Sequence, residues 1–184
     1  MKHISSCLLA LLATLLCGCS EDATDMFSHD PAYCRICPVT AVQPLREALT
    51  SPGSFCTITF EPTQYVCTRP DGTFAPLTRT DEEAYGRPIY RAGFIVGTPS
   101  LPDAKTGQFY YLCYELACPS CYKLQLLTKP MKLQADETAH CTTCGRTYSM
   151  RYGGGLVDGP DGEKLMKRYN CSYAMGQDLF LVQN

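Results

Sequence analysis

Two Cys-x-x-Cys pairs are the residues of this chain best suited to chemistry. Cys118-Pro119-Ser120-Cys121 forms the first pair, and Cys141-Thr142-Thr143-Cys144, followed by Gly145, forms the second. Each pair brings two sulfurs onto one tight turn, so that four thiolates can converge on one tetrahedral ion at about 2.3 Å. Gly145 lets the backbone turn back toward the sulfurs without a Cβ clash. The spacing therefore predicts a metal site on Cys118, Cys121, Cys141 and Cys144.

The ligand type limits which metals this site would bind. Soft sulfur ligands in a tetrahedral arrangement select zinc or iron, and two Cys-x-x-Cys turns around one ion are typical of zinc. Four thiolates also hold mononuclear iron or a [2Fe–2S] cluster. In an exported protein the same cysteines could instead form two disulfides. We expect zinc as the cofactor, with iron or an iron–sulfur cluster as the alternative and disulfides as the third interpretation.

The other cysteines indicate disulfides. The sequence has 13 cysteines; outside the N-terminal leader and the two pairs there remain Cys34, Cys37, Cys56, Cys67, Cys113 and Cys171. Six cysteines allow 15 connectivities, among which a sequence cannot choose. Local support exists only for Cys56 and Cys67, because strands over residues 55–60 and 64–68 would face each other around Glu61-Pro62-Thr63. We expect a Cys56–Cys67 disulfide, with buried free thiols as the alternative.

Short strands between Gly and Pro turns are the elements that must position these cysteines. Besides the 55–68 hairpin, alternating or aromatic-rich segments predict strands over residues 88–97, 108–116, 146–150, 164–174 and 178–182. A second hairpin is predicted from residues 122–127 and 131–135, and a helical turn over 45–49. This pattern predicts an all-β fold, an antiparallel sandwich or barrel. One domain would cover residues 34–184, with a metal-binding subdomain over about residues 110–160.

The N-terminal leader predicts where the protein resides. A basic start and an apolar run over residues 8–16, too short for the roughly 20 residues that span a bilayer, are typical of a secretory signal. Leu16-Cys17-Gly18-Cys19 resembles the lipobox of bacterial lipoproteins, in which residues 1–18 are removed and Cys19 is acylated. Residues 19–33 would form a flexible tether.

The residues after Cys19 refine this location. The lack of Asp directly after Cys19 argues against retention in the inner membrane, and the acidic residues Glu21, Asp22 and Asp25 resemble the surface-export signal of Bacteroidetes lipoproteins. The prediction is an outer-membrane lipoprotein, held in the lipid through Cys19, at the cell surface or on the periplasmic face.

Composition and missing motifs exclude several functions. The net charge of −2, without a Lys/Arg-rich patch, argues against a nucleic-acid partner, because such binding relies on neutralising phosphates. The sequence lacks a Gly-x-Ser-x-Gly elbow, a His-Glu-x-x-His helix and a phosphate loop. Beyond the leader, His29 and His140 are the only histidines, and both are expected to face solvent. We therefore expect a protein without catalytic residues.

The stretch from Cys118 to Tyr169 resembles the Rieske domain. The resemblance rests on the second cysteine pair with Gly145, on Tyr148-Ser149-Met150, and on Gly155, Gly159-Pro160, Leu165 and Tyr169. The chain also resembles a group of Bacteroidetes lipoproteins with a Rieske-like fold, through Tyr114-Glu115-Leu116-Ala117-Cys118-Pro119 and Phe180-Leu181-Val182-Gln183-Asn184. The resemblance implies a Rieske-like antiparallel β-sandwich carrying a small, zinc-ribbon-like metal subdomain whose two ligand loops meet at its tip.

The chain departs from the Rieske pattern at both histidine ligands. Cys144 stands in place of the second-loop histidine, and in the first loop Cys121 replaces a histidine one position late. Because two histidines raise the potential of a Rieske cluster, four thiolates imply a low-potential cluster or a single ion. The sequence thus predicts a lipid-anchored, non-catalytic binding or envelope module with a structural four-cysteine site, whose envelope or extracellular partner it does not define. The alternative is an electron carrier that holds iron on the same cysteines.

Overall fold

The computed structural model describes residues 26–79, 92–126 and 128–184. The predicted signal over residues 1–18, Cys19 and the acidic residues after it lie outside the described residues. Among the residues described, no helix combines the length and the apolar character needed to cross a membrane.

The described residues fold mainly into antiparallel strands, with two short α-helices. The strands are β1 (Tyr33–Ile36), β2 (Ser54–Phe60), β3 (Gln64–Thr68), β4 (Phe74–Thr78), β5 (Phe94–Thr98), β6 (Leu112–Glu115), β7 (Lys132–Leu133), β8 (Thr138–His140), β9 (Thr147–Ser149), β10 (Gly155–Asp158), β11 (Arg168–Ala174) and β12 (Leu179–Gln183). The helices are α1 (Gln43–Thr50) and α2 (Pro119–Gln125), and 3₁₀ turns cover Val39–Ala41 and Met175–Gln177. The expected predominance of β-structure is confirmed.

The strands form two sheets. The larger, curled sheet has the order β1-β12-β11-β6-β5-β2-β3-β4, and the smaller one has the order β10-β9-β8-β7. The four strands of the small sheet all lie in the chain between β6 and β11 of the large sheet. The small sheet is therefore an insertion into the large one.

Each face of the large sheet carries a hydrophobic core, because neighbouring residues of a strand point to opposite faces. On β5, Phe94 and Val96 belong to the first core and Ile95 to the second. Helix α1 covers the first core with Leu45, Ala48 and Leu49, the i, i+3, i+4 spacing of one helix face. The small sheet covers the second core.

The predicted helical turn over residues 45–49 is confirmed as the centre of α1, and the 55–68 hairpin as β2 and β3. The register pairs Cys67 with Ile58, which leaves Cys56 diagonal to Cys67 on the same face. Both are fully buried in the first core. The Cys56–Cys67 disulfide stays a prediction.

The hairpin predicted around Thr128-Lys129-Pro130 is wrong in its first arm, where residues 119–125 form α2. Cys118 is the N-cap in extended conformation and Pro119 occupies the first turn, where its fixed φ and missing N–H suit a helix start. The second arm contains β7, which pairs with β8, and the residues at its start pair with the chain that follows β6. Ala117 bridges Pro130, and the Met131 N–H donates to the Leu116 carbonyl at 2.9 Å.

The structure shifts two predicted boundaries, the start of the folded domain and the start of the metal-binding subdomain. Residues 26–33 were expected in a flexible tether, yet Phe27 pairs with Arg168, and the Asn184 amide donates to the Asp30 carbonyl at 3.1 Å. The ordered chain therefore begins before residue 34. The metal subdomain, expected from about residue 110, begins after Glu115, because β6 belongs to the large sheet. We call residues 117–166 the small unit.

Candidate metal centre

The first cysteine pair lies at the junction of the large sheet and α2. Cys118 follows β6 closely and precedes the helix, so Cys121 falls in the first helical turn. The Tyr122 N–H donates to the Cys118 carbonyl at 3.0 Å, which closes that turn. The Cys118 N–H donates to the Lys129 carbonyl at 3.3 Å. Both sides of the first loop are therefore held by backbone hydrogen bonds.

The second cysteine pair occupies the turn between β8 and β9. The Cys141 N–H donates to the Arg146 carbonyl and the Gly145 N–H donates to the Cys141 carbonyl, both at 2.8 Å. Gly145 has a φ of 72°, the left-handed conformation that a glycine adopts without strain. This is the role that the sequence predicted for it. The hairpin places Cys141 and Cys144 on one tight turn.

The four cysteines predicted as ligands come together. Their Sγ atoms all lie within 4.8 Å of one another. The Sγ atoms of Cys118 and Cys144 are 3.6 Å apart, and those of Cys121 and Cys141 are 3.7 Å apart. A tetrahedron with metal–sulfur bonds of about 2.3 Å separates its sulfurs by about 3.8 Å. The site therefore fits one tetrahedral ion, of zinc or of iron.

The four thiols differ in exposure and in acidity. Cys118, Cys121 and Cys141 are buried, whereas Cys144 is partly exposed. Burial raises the pKa of Cys118 to about 11 and also raises the pKa of Cys121. Burial opposes ionisation of Cys144 too, but hydrogen bonds from the Arg146 backbone and side chain outweigh it and lower its pKa to about 6. Cys144 is thus more readily ionised than Cys118 or Cys121.

A third loop, over residues 159–163, packs against both cysteine loops. The buried Arg146 donates from Nε to the Pro160 carbonyl at 3.1 Å and from Nη2 to the Asp161 carbonyl. The Glu163 N–H donates to Ser120 Oγ at 2.9 Å, and Lys123 Nζ lies 2.6 Å from Glu163 Oε1. The third loop therefore ties the second cysteine loop to the helix that carries Cys121.

The close contact of this loop depends on two glycines. A Cβ on Gly159 would lie 2.8 Å from both the Arg146 Cα and the Gly145 carbonyl oxygen. A Cβ on Gly162 would lie 2.5 Å from Arg146 Nε and 2.7 Å from Ser120 Oγ. In the sequence, Gly159-Pro160 was informative only as part of the Rieske resemblance. The glycines signalled a turn, but nothing in their spacing identified Arg146 as the side chain beneath it.

Tyr148 supports the site from the second core. It is fully buried, its hydroxyl lies 3.0 Å from Ser120 Oγ, and it donates to the Glu163 carbonyl at 3.2 Å. Burial raises its pKa, so it remains a neutral phenol. Tyr148 therefore fixes Ser120, one of the two residues between the cysteines of the first pair.

The other candidate residues do not reach this site. His29 is exposed, and the half-buried His140 has Nδ1 3.1 Å from Thr147 Oγ1, its cross-strand neighbour. Cys56, Cys67 and Cys113 lie in the first core, on the other face of the large sheet. Among the described residues, the four-cysteine group is the one set of His, Cys, Asp and Glu side chains with metal-ligating geometry.

Comparison with protein-family models, curated proteins and solved structures gave no match to this chain.

Proposed function

We propose that Cys118, Cys121, Cys141 and Cys144 bind a single zinc ion whose role is structural. The observation that carries the proposal is the mutual approach of all four sulfurs within 4.8 Å. Four protein ligands complete a tetrahedron and leave no position for water or substrate. Such an ion holds the chain together rather than activating a nucleophile.

The distances favour one ion over a [2Fe–2S] cluster. In a two-iron cluster each iron takes two of the four thiolates, and bridging sulfides lie between the irons, so the two thiolate pairs must stand apart. Here the sulfurs approach in two pairs at 3.6 and 3.7 Å, and the longest separation stays within 4.8 Å. An electron carrier on these cysteines would therefore use mononuclear iron.

The elements joined by the site indicate what the ion stabilises. The strands of the small sheet span only two to four residues, too short to be stable without packing or a cross-link. The ion would connect the start of α2 to the β8–β9 turn. Structural zinc contributes on the order of 10 kcal/mol to the folding of such units.

Metal analysis of protein purified anaerobically, without added metal, tests this proposal. One zinc per chain with no visible absorbance is the expected result. One iron per chain with thiolate-to-iron absorption would replace zinc by an electron-transfer centre. Two irons with inorganic sulfide would contradict the single-ion geometry. Metal-free protein with disulfides among the four cysteines would overturn the metal site itself.

We further propose that the domain is a non-catalytic module of a bacterial envelope lipoprotein with a Rieske-like fold. The lipobox-like leader with Cys19 supports the anchor. A small sheet inserted between β6 and β11, with two cysteine loops meeting in it, supports the Rieske-like arrangement. The protein should be found in the outer-membrane fraction, and Cys19→Ala should release it or leave it unprocessed. Unchanged partition of that variant would refute the lipid anchor.

A further inference from the structure

The first described residues, 26–32, form a strap that is fastened to the start of β11. Phe27 pairs with Arg168 in parallel. The Arg168 N–H donates to the Met26 carbonyl at 2.9 Å, and the Ser28 N–H donates to the Arg168 carbonyl at 2.8 Å. Backbone hydrogen bonds therefore fix the place where the chain enters the domain.

The strap also limits how far the domain can stand from the proposed lipid anchor. Met26 lies seven residues after Cys19, and a fully extended chain of that length spans at most about 25 Å. With Cys19 acylated, as proposed above, the bilayer surface lies within this distance of Met26. The strap and the start of β11 are consequently held close to lipid.

The sheet face beside the strap is left open by the rest of the domain. The register places Tyr33, Gln183 and Asn170 in one row across β1, β12 and β11, and all three are exposed. Their chain neighbours Cys34 and Val182 point to the opposite face, into the first core. Among the described residues, the second core includes none from these three strands. We call this open side of β1, β12 and β11 the anchor-side face.

The side chains of the anchor-side face suit a bilayer surface. Tyr33 is 47% exposed, and tyrosine is enriched where membranes meet water because its ring is apolar and its hydroxyl polar. Arg35 is exposed on the same side of β1. Arg168 holds its guanidinium 5.4 Å from the centroid of the partly exposed Phe27 ring. No carboxylate of the described residues forms an ion pair with Arg168, so its charge can meet lipid phosphate groups.

We propose that the anchor-side face, with Phe27, Tyr33, Arg35 and Arg168, rests on the headgroup layer of the membrane that holds Cys19. The acyl chains retain the protein, and the aromatic and basic side chains give the domain one orientation on the lipid. A second membrane signal beside an acyl group is what makes such attachment stable. This inference rests on the proposed function, because it requires an acylated Cys19.

The test places a single tryptophan on the anchor-side face, since the chain contains none. The full acylated chain is purified from membranes and reconstituted into phosphatidylcholine vesicles, with or without bromine on the upper part of the lipid acyl chains. Bromine quenches tryptophan only at close range. Tyr33→Trp should lose most of its fluorescence in the brominated vesicles. Asn170→Trp, in the same row, is the second reporter should the first variant fail to fold.

The matched control is Phe74→Trp. Phe74 is an exposed aromatic residue at the start of β4, the opposite edge strand of the same eight-stranded sheet. Its replacement should fluoresce equally in brominated and plain vesicles, because contact through the anchor-side face keeps that edge away from the lipid.

Two results would overturn the membrane contact. One is a chain that floats with the vesicles but shows no quenching at position 33 or 170. The other is equal quenching at positions 33 and 74, which would mean that the domain turns freely on its tether. A wild-type chain that does not float with the vesicles would instead refute the proposed lipid anchor, and the contact with it.

Discussion

The two cores of the molecule use the same residue type differently. In the first core, Cys56, Cys67 and Cys113 are fully buried among aromatic and aliphatic side chains. In the second core, Cys118, Cys121 and Cys141 are also buried, but their Sγ atoms lie close to one another and to that of Cys144. A buried thiol packs as a small hydrophobic group, so the residue type alone does not make a ligand. The four cysteines of the candidate site differ because two tight turns bring their sulfurs within 4.8 Å of one another.

The cores also differ in what holds their strands together. In the large sheet, β2 and β3 are seven and five residues long, and α1 covers the first core. In the small sheet the strands are two to four residues long. We expect packing alone to stabilise the large sheet, and the proposed metal ion to stabilise the small unit. The four predictions below test this difference, beginning with the largest expected effect.

Cys121→Ser should unfold the small unit without unfolding the large sheet. Loss of one ligand forfeits much of the roughly 10 kcal/mol that a structural zinc contributes. Hydrogen exchange followed by mass spectrometry should show faster exchange over residues 117–166 and continued protection of β2, β3 and β5. Equal loss of protection in both sheets would mean that the two units fold as one.

Gly159→Ala should be the most damaging change that leaves all four cysteines in place. Gly159 has a φ of 105°, and a Cβ there would lie 2.8 Å from the Arg146 Cα. Left-handed strain and overpacking together should cost about 3 kcal/mol of unfolding free energy in urea. The control is Gly176→Ala, where nothing lies within 4 Å of the added Cβ. A similar loss in both variants would argue against a tight third loop.

Glu137 joins the two units, and its loss should have an intermediate effect. The carboxylate is 3% exposed and accepts from the Ser100 N–H at 2.9 Å and from Arg151 Nη2 at 2.8 Å. Ser100 follows β5 of the large sheet, whereas Glu137 lies between β7 and β8. Glu137→Gln should cost about 2 kcal/mol at neutral pH, in the range of hydrogen bonds to charged groups.

The pH dependence of the Glu137 contact has a defined sign. Burial alone would raise its pKa, but hydrogen bonds from Ser100 and Arg151 hold the pKa below its ordinary value of 4.5. The contact therefore stabilises the fold fully above that ordinary value and is lost as the pH falls through the lowered pKa. Urea unfolding of wild type and Glu137→Gln should converge toward acid pH. A difference that persists there would contradict ionisation of this carboxyl as the cause.

Cys113→Ala should have the smallest effect and should leave metal binding unchanged. Cys113 is fully buried in the first core, and burial raises the pKa of its thiol, which keeps it protonated and inert. Removing the sulfur leaves a small cavity that should cost on the order of 1 kcal/mol. The exposed Cys37 provides the control, since Cys37→Ala removes no core contact. Altered metal stoichiometry in Cys113→Ala would show that the two sets of cysteines are not independent.

Much of the site could be read from spacing alone. Two Cys-x-x-Cys pairs and the glycine after the second are local signals. Such signals can be recognised in the sequence because each turn is made by consecutive residues. The same holds for the β2–β3 hairpin and for α1. The strand predicted over residues 122–127 was wrong, because apolar residues such as Leu124 and Leu126 suggested a strand where α2 forms and ends. Pro119 after Cys118 was the local signal for a helix start.

By itself, the sequence identified the four candidate ligands, the β-rich class and a lipobox-like motif ending at Cys19, since each depends on residue types at short, regular intervals. The tertiary structure alone decided that the third loop packs on both cysteine loops and that Glu137 connects the two sheets. These contacts join residues such as Ser120 and Glu163, 2.9 Å apart in space and distant in the chain. No periodicity encodes them, because they arise only when the small sheet packs over the second core.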